Sequence, residues 1–206
     1  MLKQAALWII VLKVFAEVTP SPKGEIISTP RSSDSDPTDH VITDILADIT
    51  SWQLQLELVD RPFVTLTFAE SLDGKIALKT NNKDEMSSNL PLSGKESLKL
   101  THGLRSIHDA ILVGGRTLSI DNPHLSNRLW GDSQPRPVVL DPSLQHIRKL
   151  GSTRRARNII VCCSHQAAAS FQEYDEMLEI LPCQCNEDGW LDLHDVLQRL
   201  RSTYAV

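Results

Sequence analysis

Blocks of apolar and polar residues alternate along the chain and predict a succession of strands and helices from about residue 40 onwards. Short apolar runs rich in β-branched residues are typical of strands, whereas apolar residues at intervals of three and four are typical of amphipathic helices. Strands are predicted at 62–78 (a pair of short strands), 109–114, 136–140 and 158–163. Helices are predicted at 40–57, from Ser93 to about Ile107, near 166–179 and at 192–203. This order predicts an α/β domain whose mostly parallel sheet is covered by helices on both faces.

Local signals set the boundaries of the first two helices. The apolar residues that give 40–57 its helical period are Val41, Ile42, Ile45, Leu46, Ile49 and Trp52. Pro62 follows this segment, and proline disfavours helical backbone in the residue before it. Ser93 and Glu96 have the spacing of a capping box, which predicts Ser93 as the N-cap of the second helix. The polar residues 79–92 between the two elements predict a loop.

The first 39 residues differ in composition from the rest. Residues 1–16 carry one early lysine and an apolar run from Ala5 to Leu12 that Lys13 interrupts. This run is too short to span a bilayer, so two interpretations stay open: a targeting segment, or an amphipathic or artefactual leader. Residues 19–39 are rich in Pro, Ser, Thr and Asp, which predicts a disordered linker. We therefore expect residues 1–39 to be leader and linker, and residues 40–206 to form the domain.

Composition and charge exclude some partners. The 206 residues, 41% hydrophobic and 23% charged, suit one globular domain with a sizeable core. The net charge of -5 argues against a protein that binds the phosphate backbone of nucleic acid. The basic cluster Arg154, Arg155 and Arg157 is interpreted as a solvated loop. We expect neither a nucleic acid nor a membrane as partner.

The four cysteines form two close pairs, Cys162 with Cys163 and Cys183 with Cys185. Adjacent residues on a strand point to opposite faces, so the first pair cannot share an ordinary metal site. No histidine lies at zinc-finger spacing from them, and the histidines at 102, 108 and 124 favour helix-surface and turn roles. We therefore expect buried, reduced thiols in a cytoplasmic protein and no metal site.

Two segments combine polar groups with glycines at predicted strand ends, where α/β sheets form ligand clefts. The first, SLDGK at 71–75, is by itself also typical of a tight hairpin turn. The second, HDAILVGGRTLSIDNPHLSNR at 108–128, is an apolar strand that breaks at Gly114 and Gly115 and begins a helical turn. Glycines there allow a ligand to approach the backbone, although the segment lacks the G-x-G-x-x-G spacing of dinucleotide-binding loops.

Together, RPFVTLTFAESLDGKIAL at 61–78 and the 108–128 segment closely resemble the reductase family of riboflavin biosynthesis, which has a dihydrofolate-reductase-like fold. Members use NADPH to reduce the ribosyl side chain of 2,5-diamino-6-ribosylamino-4(3H)-pyrimidinone 5′-phosphate to the ribityl form. The resemblance covers about residues 40–206. It implies the same fold, NADPH as cofactor, a small sugar-phosphate pyrimidine as substrate, and a homodimer.

The resemblance also implies roles for individual residues. Lys75 matches a lysine that faces the substrate, which implies that it polarises C1′ of the sugar or donates a proton to it. The positions implied to contact the cofactor are Thr117, Asp121 and Leu191, the last through its backbone unless it simply packs in the core. The positions implied to contact the substrate are Asn89, Arg105, Leu125 and Arg128. The two arginines suit a phosphate because a guanidinium binds it in bidentate fashion, although the residues alone also fit surface positions.

Two features depart from the family pattern. The zinc-deaminase motifs H-x-E and P-C-x-x-C of bacterial bifunctional members are absent, so the chain resembles the stand-alone fungal or archaeal type. The chain ends at Val206, where relatives continue into a strand and a V-E-G-G-A-type loop, so we expect the last part of the domain to be missing. Two alternatives stay open: a truncated inactive paralogue that acts as a binding module, and a dihydrofolate reductase proper. The second is disfavoured because the two arginines suit a phosphate, whereas a pterin site needs a buried carboxylate on a helix.

Overall fold

The computed structural model describes residues 9–13, 36–55, 61–74, 93–147, 158–172 and 176–204. The strands are β1 (Ile9–Lys13), β2 (Phe63–Thr67), β3 (Ala110–Gly114), β4 (Arg136–Leu140), β5 (Ile159–Ser164) and β6 (Leu178–Cys183). The helices are α1 (Pro37–Gln55), α2 (Lys95–Ser106), α3 (Gly115–Asp121), α4 (His165–Ser170) and α5 (Leu193–Tyr204). Within the described ranges, no helix has both the length and the apolar run that crossing a membrane requires.

The strands form one six-stranded sheet in the order β2-β1-β3-β4-β5-β6. Strands β3 to β6 pair in parallel, whereas β1 pairs antiparallel with both β2 and β3. β2 therefore runs in the same direction as β3, and every strand except β1 ends at the same end of the sheet, here called the carboxyl end. The mostly parallel α/β sheet predicted from the sequence is confirmed, with one antiparallel strand inside it.

β1 contradicts part of the prediction for residues 1–39. Ile9–Lys13 pairs residue by residue with β2, and its central residues also pair with β3. An apolar run of this length fits a buried strand as well as a leader, because both consist of consecutive apolar residues. The expectation that folded structure begins near residue 40 is therefore wrong, because residues 9–13 form a strand of the sheet and α1 begins at Pro37. The assignment of the first residues to a leader stays a prediction.

Alternate strand residues point to opposite faces of the sheet, and each face carries its own apolar cluster. The first face packs against α1 and α2 and carries Ile111, Val113, Val139, Ile159 and Val161. The second face packs against α5 and carries Ala110, Leu112, Val138, Ile160 and Cys162. Helices therefore contact both faces, as the alternation of elements predicts.

The face of α1 that contacts the core is narrower than the sequence pattern predicts. Ile42 and Leu46 are buried and Ile49 is partly buried. Val41 and Trp52, which share the predicted apolar face, are 58% and 55% exposed. A stripe of residues at intervals of three and four is therefore sufficient to hold this helix on the first face.

The start of α2 differs from the prediction. Its N-cap is Gly94, which has extended backbone and no side-chain cap. The prediction of Ser93 as N-cap is wrong, because the helix begins one residue later than a capping box with Glu96 needs. Further along, Gly103 lets α2 approach α1 closely, since a Cβ atom at this position would lie 2.7 Å from Cδ1 of Leu46.

The segment predicted as a helix near 166–179 forms two elements. α4 ends at Ser170 and β6 begins at Leu178, where it pairs in parallel with the whole of β5. The apolar residues of β6 fit a strand or a helix, and pairing with β5 decides between the two. The predicted strands at 109–114, 136–140 and 158–163 and the helix at 192–203 are confirmed as β3, β4, β5 and α5, with bounds that differ by at most one residue.

Candidate active site

β3 continues directly into α3, which carries two of the predicted cofactor contacts. Thr117 and Asp121 are four residues apart, so their side chains lie on the same side of the helix. Thr117 is buried. Asp121 is half-buried, and its Oδ2 atom is enclosed without a hydrogen-bond partner in the described part of the chain. Burial raises the pKa of this carboxyl group. Such an oxygen can accept a hydrogen bond from an amide or hydroxyl group of a ligand.

A loop over residues 122–135 connects α3 to β4. Asn122 ends the helix in left-handed conformation (φ 40°), and its backbone N–H donates to the carbonyl oxygen of Leu118. Leu125 is also left-handed (φ 51°), which non-glycine residues rarely adopt. The side chain of Leu125 is buried in the first-face cluster. A contact of Leu125 with the substrate would therefore involve its backbone.

Asn127 organises the middle of the 122–135 loop. It is 1% exposed, and its side-chain nitrogen donates to the carbonyl oxygens of Trp130 and Ser133. Its Oδ1 atom accepts from the backbone N–H of Trp130 at 3.2 Å. Gln134 completes the network, because its Oε1 accepts from the backbone N–H of Asn127 at 2.9 Å and its Nε2 donates to the carbonyl oxygen of Asn127 at 2.7 Å. These bonds fix the backbone next to Arg128.

The two predicted phosphate-binding arginines both contact this loop, in different environments. Arg128 belongs to the loop and its side chain is exposed, while its backbone N–H donates to Nδ1 of His102 at 2.9 Å. Arg105, in α2, is buried, and its Nη1 donates to the carbonyl oxygen of Ser126 at 2.7 Å. α2 thus holds the loop through His102 and Arg105, and the charge that reaches solvent belongs to Arg128.

A second turn at the carboxyl end follows β4 and packs against α3. Asp141 is fully buried, its Oδ2 accepts from the backbone N–H of His146 at 2.7 Å, and its own backbone N–H donates to Cys162 of β5. Nδ1 of His146 lies 2.6 Å from Oγ of Ser119 in α3. Gly115 permits this packing, since a Cβ atom there would lie 3.2 Å from Cβ of Asp141 and 3.1 Å from Cδ2 of His146.

The predicted SLDGK motif begins just after the carboxyl end of β2. Gly74 has a φ of 71°, and its backbone N–H donates to the carbonyl oxygen of Ser71 at 2.9 Å. Oγ of Ser71 donates to Oδ1 of Asp73. The motif therefore contains a tight turn at the same end of the sheet as α3. Lys75 and Asn89 lie outside the described residues, so their contacts stay predictions.

Leu191 lies beyond β6, just before α5. It forms a single antiparallel bridge with Cys185, and its side chain is buried in the second-face cluster. The side chain therefore packs in the core, and a cofactor contact would involve the backbone.

All four cysteines are free; Cys162, Cys163 and Cys183 are buried and Cys185 is partly exposed. Burial raises the pKa of the Cys163 thiol to about 12.

Two of the clustered histidines are structural anchors in the interior. His102 and His108 are fully buried, so the predicted helix-surface role is wrong for His102, which lies in α2. Nδ1 of His108 donates to the carbonyl oxygen of Leu104 at 2.7 Å, and its Nε2 lies 2.8 Å from Oγ1 of Thr65 and 3.1 Å from Nε2 of Gln53. His108 thus joins α1, α2 and β2.

The structure places Thr117, Asp121, Leu125 and Arg128 on one continuous segment, with Arg105 bound to it from α2. The sequence did not single out Asn127, Gln134, Asp141 or His146. Their signal is weak, because asparagine, glutamine and aspartate are common in exposed turns and the partners of His146 and Arg128 are far away in sequence.

Comparisons with known proteins identify the family to which the chain is similar. Residues 62–204 match the family model of the RibD C-terminal domain. Among relatives, the 2,5-diamino-6-ribosylamino-4(3H)-pyrimidinone 5′-phosphate reductase of Debaryomyces hansenii is 36% identical over 57% of this chain and 44% of its own length. The reductase of the same name from Kluyveromyces marxianus is 28% identical over 71% of this chain and 61% of its own length.

A bacterial relative, the riboflavin biosynthesis protein RibD of Aquifex aeolicus, is 37% identical over 50% of this chain and 28% of its own length. The chain spans about half the length of the two fungal relatives. Because the family model covers most of the chain, the chain belongs to the RibD C-terminal domain family.

Proposed function

We propose that this domain catalyses the NADPH-dependent reduction of 2,5-diamino-6-ribosylamino-4(3H)-pyrimidinone 5′-phosphate to its ribityl form. Family membership and the names of the relatives support the proposal. The structural observation that carries it is the segment 115–128, which presents an enclosed carboxylate oxygen on Asp121 and, within the loop that follows, the exposed guanidinium of Arg128. A cofactor needs the first group as a hydrogen-bond acceptor, and a sugar phosphate needs the second as a cation.

The residues of α3 fit a nicotinamide cofactor. The Asp121 oxygen lacks a partner among the described residues and suits the N–H donors of a carboxamide or the hydroxyl groups of a ribose. Thr117, on the same side of α3, offers a hydroxyl group that both donates and accepts. When bound, NADPH supplies the hydride. Thr117, Asp121 and the backbone of Leu191 would orient it at the carboxyl end of the sheet.

The 122–135 loop fits a phosphorylated substrate. Arg128 has a backbone fixed by His102 and a guanidinium in solvent, so it can bind a phosphate at little cost in backbone ordering. We assign Arg105, the backbone of Leu125 and Asn89 to the same substrate. Arg105 acts in part by holding the loop at Ser126.

The reaction needs a proton as well as a hydride. The ribosylamine ring opens to a C1′ imine as the N–H proton moves to the ring oxygen, the cofactor would supply hydride to C1′, and one proton adds to the nitrogen, which gives the ribityl chain still attached to that nitrogen. We assign the polarisation of C1′ or the delivery of the proton to Lys75, which follows the turn at Ser71–Gly74. The main contribution of the protein is to hold the cofactor and the substrate in the relative orientation that hydride transfer needs.

We also infer that the domain acts as a homodimer in the cytoplasm. The resemblance to the reductase family supports the dimer. The free cysteines support a reducing compartment, because disulfides form in oxidising ones.

The proposal is tested by titrating the purified 206-residue chain with NADPH and then adding the substrate. We expect saturable NADPH binding by fluorescence, consumption of NADPH and a product with the mass of the ribityl compound. Thr117→Val should weaken NADPH binding, and the unphosphorylated nucleoside should be a much poorer substrate. NADPH binding without turnover would indicate a binding module, and reduction of dihydrofolate instead would indicate a dihydrofolate reductase; either result contradicts the proposal.

A further inference from the structure

The orientation of α3 depends on contacts outside the helix. α3 has seven residues, and a helix of this length is unstable by itself in water. Leu118 is fully buried and packs in the first-face cluster, which fixes one side of the helix. The polar contact between Ser119 and His146 fixes another side and has no part in the proposed function so far.

Ser119 lies on the side of α3 opposite the cofactor residues. At about 100° per residue, Ser119 is roughly 200° around the helix from Thr117, whereas Asp121 is roughly 40° from Thr117. The hydrogen bond of 2.6 Å between Oγ of Ser119 and Nδ1 of His146 therefore holds the back of the helix. Thr117 and Asp121 occupy its front.

His146 is itself held in a fixed turn. Asp141 accepts from the backbone N–H of His146 through Oδ2 at 2.7 Å and from the backbone N–H of Leu144 through its carbonyl oxygen at 3.1 Å. The backbone N–H of Asp141 donates to the carbonyl oxygen of Cys162 at 2.9 Å. A continuous series of hydrogen bonds therefore connects the back of α3 to β5 in the centre of the parallel sheet.

We propose that Ser119 and His146 are positioning residues for the cofactor: their hydrogen bond sets the rotation of α3 and with it the places of Thr117 and Asp121. This inference rests on the proposed function, in which α3 binds NADPH. Neither residue contacts the cofactor. Loss of the bond leaves Leu118 as the main anchor of α3, so the helix turns or frays and the hydroxyl and carboxylate groups leave their productive positions.

Matched substitutions at residue 146 separate the hydrogen-bonding group from the shape of the side chain. Asparagine places an amide near the position of Nδ1, whereas leucine has a similar shape without a hydrogen-bonding group. In the full chain, we expect the Kd for NADPH to rise about three- to tenfold in Ser119→Ala and His146→Leu, the equivalent of one net hydrogen bond, and to stay near the parent value in His146→Asn. The double variant should be no weaker than either single variant, because both remove the same bond. Ser170→Ala is the control, since that hydroxyl bonds carbonyls of its own helix.

Amide hydrogen exchange gives a readout that does not depend on the cofactor. Ser119→Ala and His146→Leu should speed up exchange at the amide of Asn122, which donates to Leu118 at the end of α3, while amides of α2 stay unchanged. Faster exchange together with weaker NADPH binding supports the inference. If the parent chain itself binds no NADPH, the proposed function is overturned. Faster exchange in the variants would then still support the role of the Ser119–His146 bond in anchoring α3. Unchanged exchange, whatever the affinity, would overturn the positioning role.

Discussion

The two faces of the sheet are covered in different ways. On the first face, α2 and the 122–135 loop bring several polar side chains into the interior, each of them hydrogen-bonded. These side chains are His102, Arg105, His108 and Asn127. On the second face, α5 contributes Val196 and Leu200 to a cluster whose members are apolar or carry thiols. Directional hydrogen bonds fix how α2 and the 122–135 loop pack on the first face, whereas α5 packs on the second face mainly through apolar contacts.

The polar contacts around α5 lie at the edge of the apolar cluster on the second face. Nη2 of Arg136 lies 2.5 Å from Oε2 of Glu179, and the hydroxyl group of Tyr204 donates to Oε1 of Glu179 at 2.6 Å. The guanidinium of Arg136 also lies over the ring of Tyr204, 5.0 Å from its centre. Because Arg136 and Glu179 are partly exposed, this cluster contributes little stability, and burial of apolar residues holds α5 in place.

This difference predicts how the two regions respond to substitution. Buried polar groups need particular partners at particular distances, so the first face fixes the positions of the segment that carries the candidate site. The second face stabilises the sheet without reaching that segment. Changes on the second face away from Leu191, whose backbone is assigned to the cofactor, should therefore alter stability alone, whereas changes on the first face should alter stability and binding together.

The largest effect on stability is expected for Leu200→Ala on the second face. Leu200 is 1% exposed, and truncation of a buried leucine costs about 3 to 5 kcal/mol through lost burial and the remaining cavity. Urea denaturation should show this loss, while NADPH affinity measured well below the melting temperature stays at the parent value. Leu193→Ala is the control on the same helix, because Leu193 is 52% exposed and should cost much less. A changed NADPH affinity in Leu200→Ala would show that the second face also positions the site.

A smaller loss of stability, joined by a loss of substrate affinity, is expected for Asn127→Ala. The substitution removes three side-chain hydrogen bonds to the 122–135 loop and takes this partner from the carbonyl group of the buried Trp130, which costs about 2 to 4 kcal/mol. Asn186→Ala is a matched control, because Oδ1 of Asn186 likewise accepts from the backbone N–H of a tryptophan, here four residues later, but Asn186 is exposed. Equal unfolding free energies for the two variants would contradict the distinction between the two regions.

Much of the sheet could be predicted from the sequence for a simple reason. Ala110–Gly114, Arg136–Leu140 and Ile159–Ser164 are short apolar runs, and strands buried on both faces need such runs. Leu178–Cys183 could not be assigned in the same way, because its burial alternates only in part and its pairing with β5 is a long-range contact. Ile9–Lys13 likewise pairs with strands that are far away in the sequence.

The site could be predicted where chemistry and strand ends coincide in the sequence. Thr117 and Asp121 follow a strand end directly, so local pattern and resemblance together place them at the carboxyl end of the sheet. Asp141 and His146 could not be found this way, since the partner of His146 is 27 residues away in the sequence. Asn127 and Asn186 each lie three or four residues before a tryptophan, and only the structure shows that the first is buried and the second exposed.

Arg128→Ala should separate binding from stability. The side chain is exposed, so the unfolding free energy should stay near that of the parent. Loss of a charge-assisted phosphate contact of about 2 kcal/mol should raise KM for the phosphorylated substrate roughly 30-fold, with NADPH binding unchanged. Arg128→Lys keeps the charge but not the bidentate geometry and should fall between the two. Arg136→Ala, at the rim of the second face, should leave KM unchanged; a KM for Arg128→Ala equal to that of the parent would remove Arg128 from the site.

The smallest effect is expected for Asp121→Asn. It should raise the free energy of unfolding, whereas the other substitutions lower it or leave it unchanged. Burial raises the pKa of this carboxyl above its ordinary value of 3.8, so the folded chain binds the proton more tightly than the unfolded chain does. Stability therefore falls as pH rises through the window between 3.8 and the raised pKa. Asparagine removes this titration, so the variant should be more stable than the parent at neutral pH, and its advantage should shrink as pH falls through that window.

The same substitution should weaken NADPH binding, because an amide offers one acceptor oxygen where the carboxylate offers two. Denaturation curves at neutral pH and below 3.8, together with a cofactor titration at neutral pH, test both halves. A variant that is more stable and binds NADPH less tightly would show that the first face gives up stability at Asp121 in favour of ligand binding. A stability difference that does not depend on pH, or an unchanged Kd for NADPH, would assign Asp121 to the turn at the end of α3 instead.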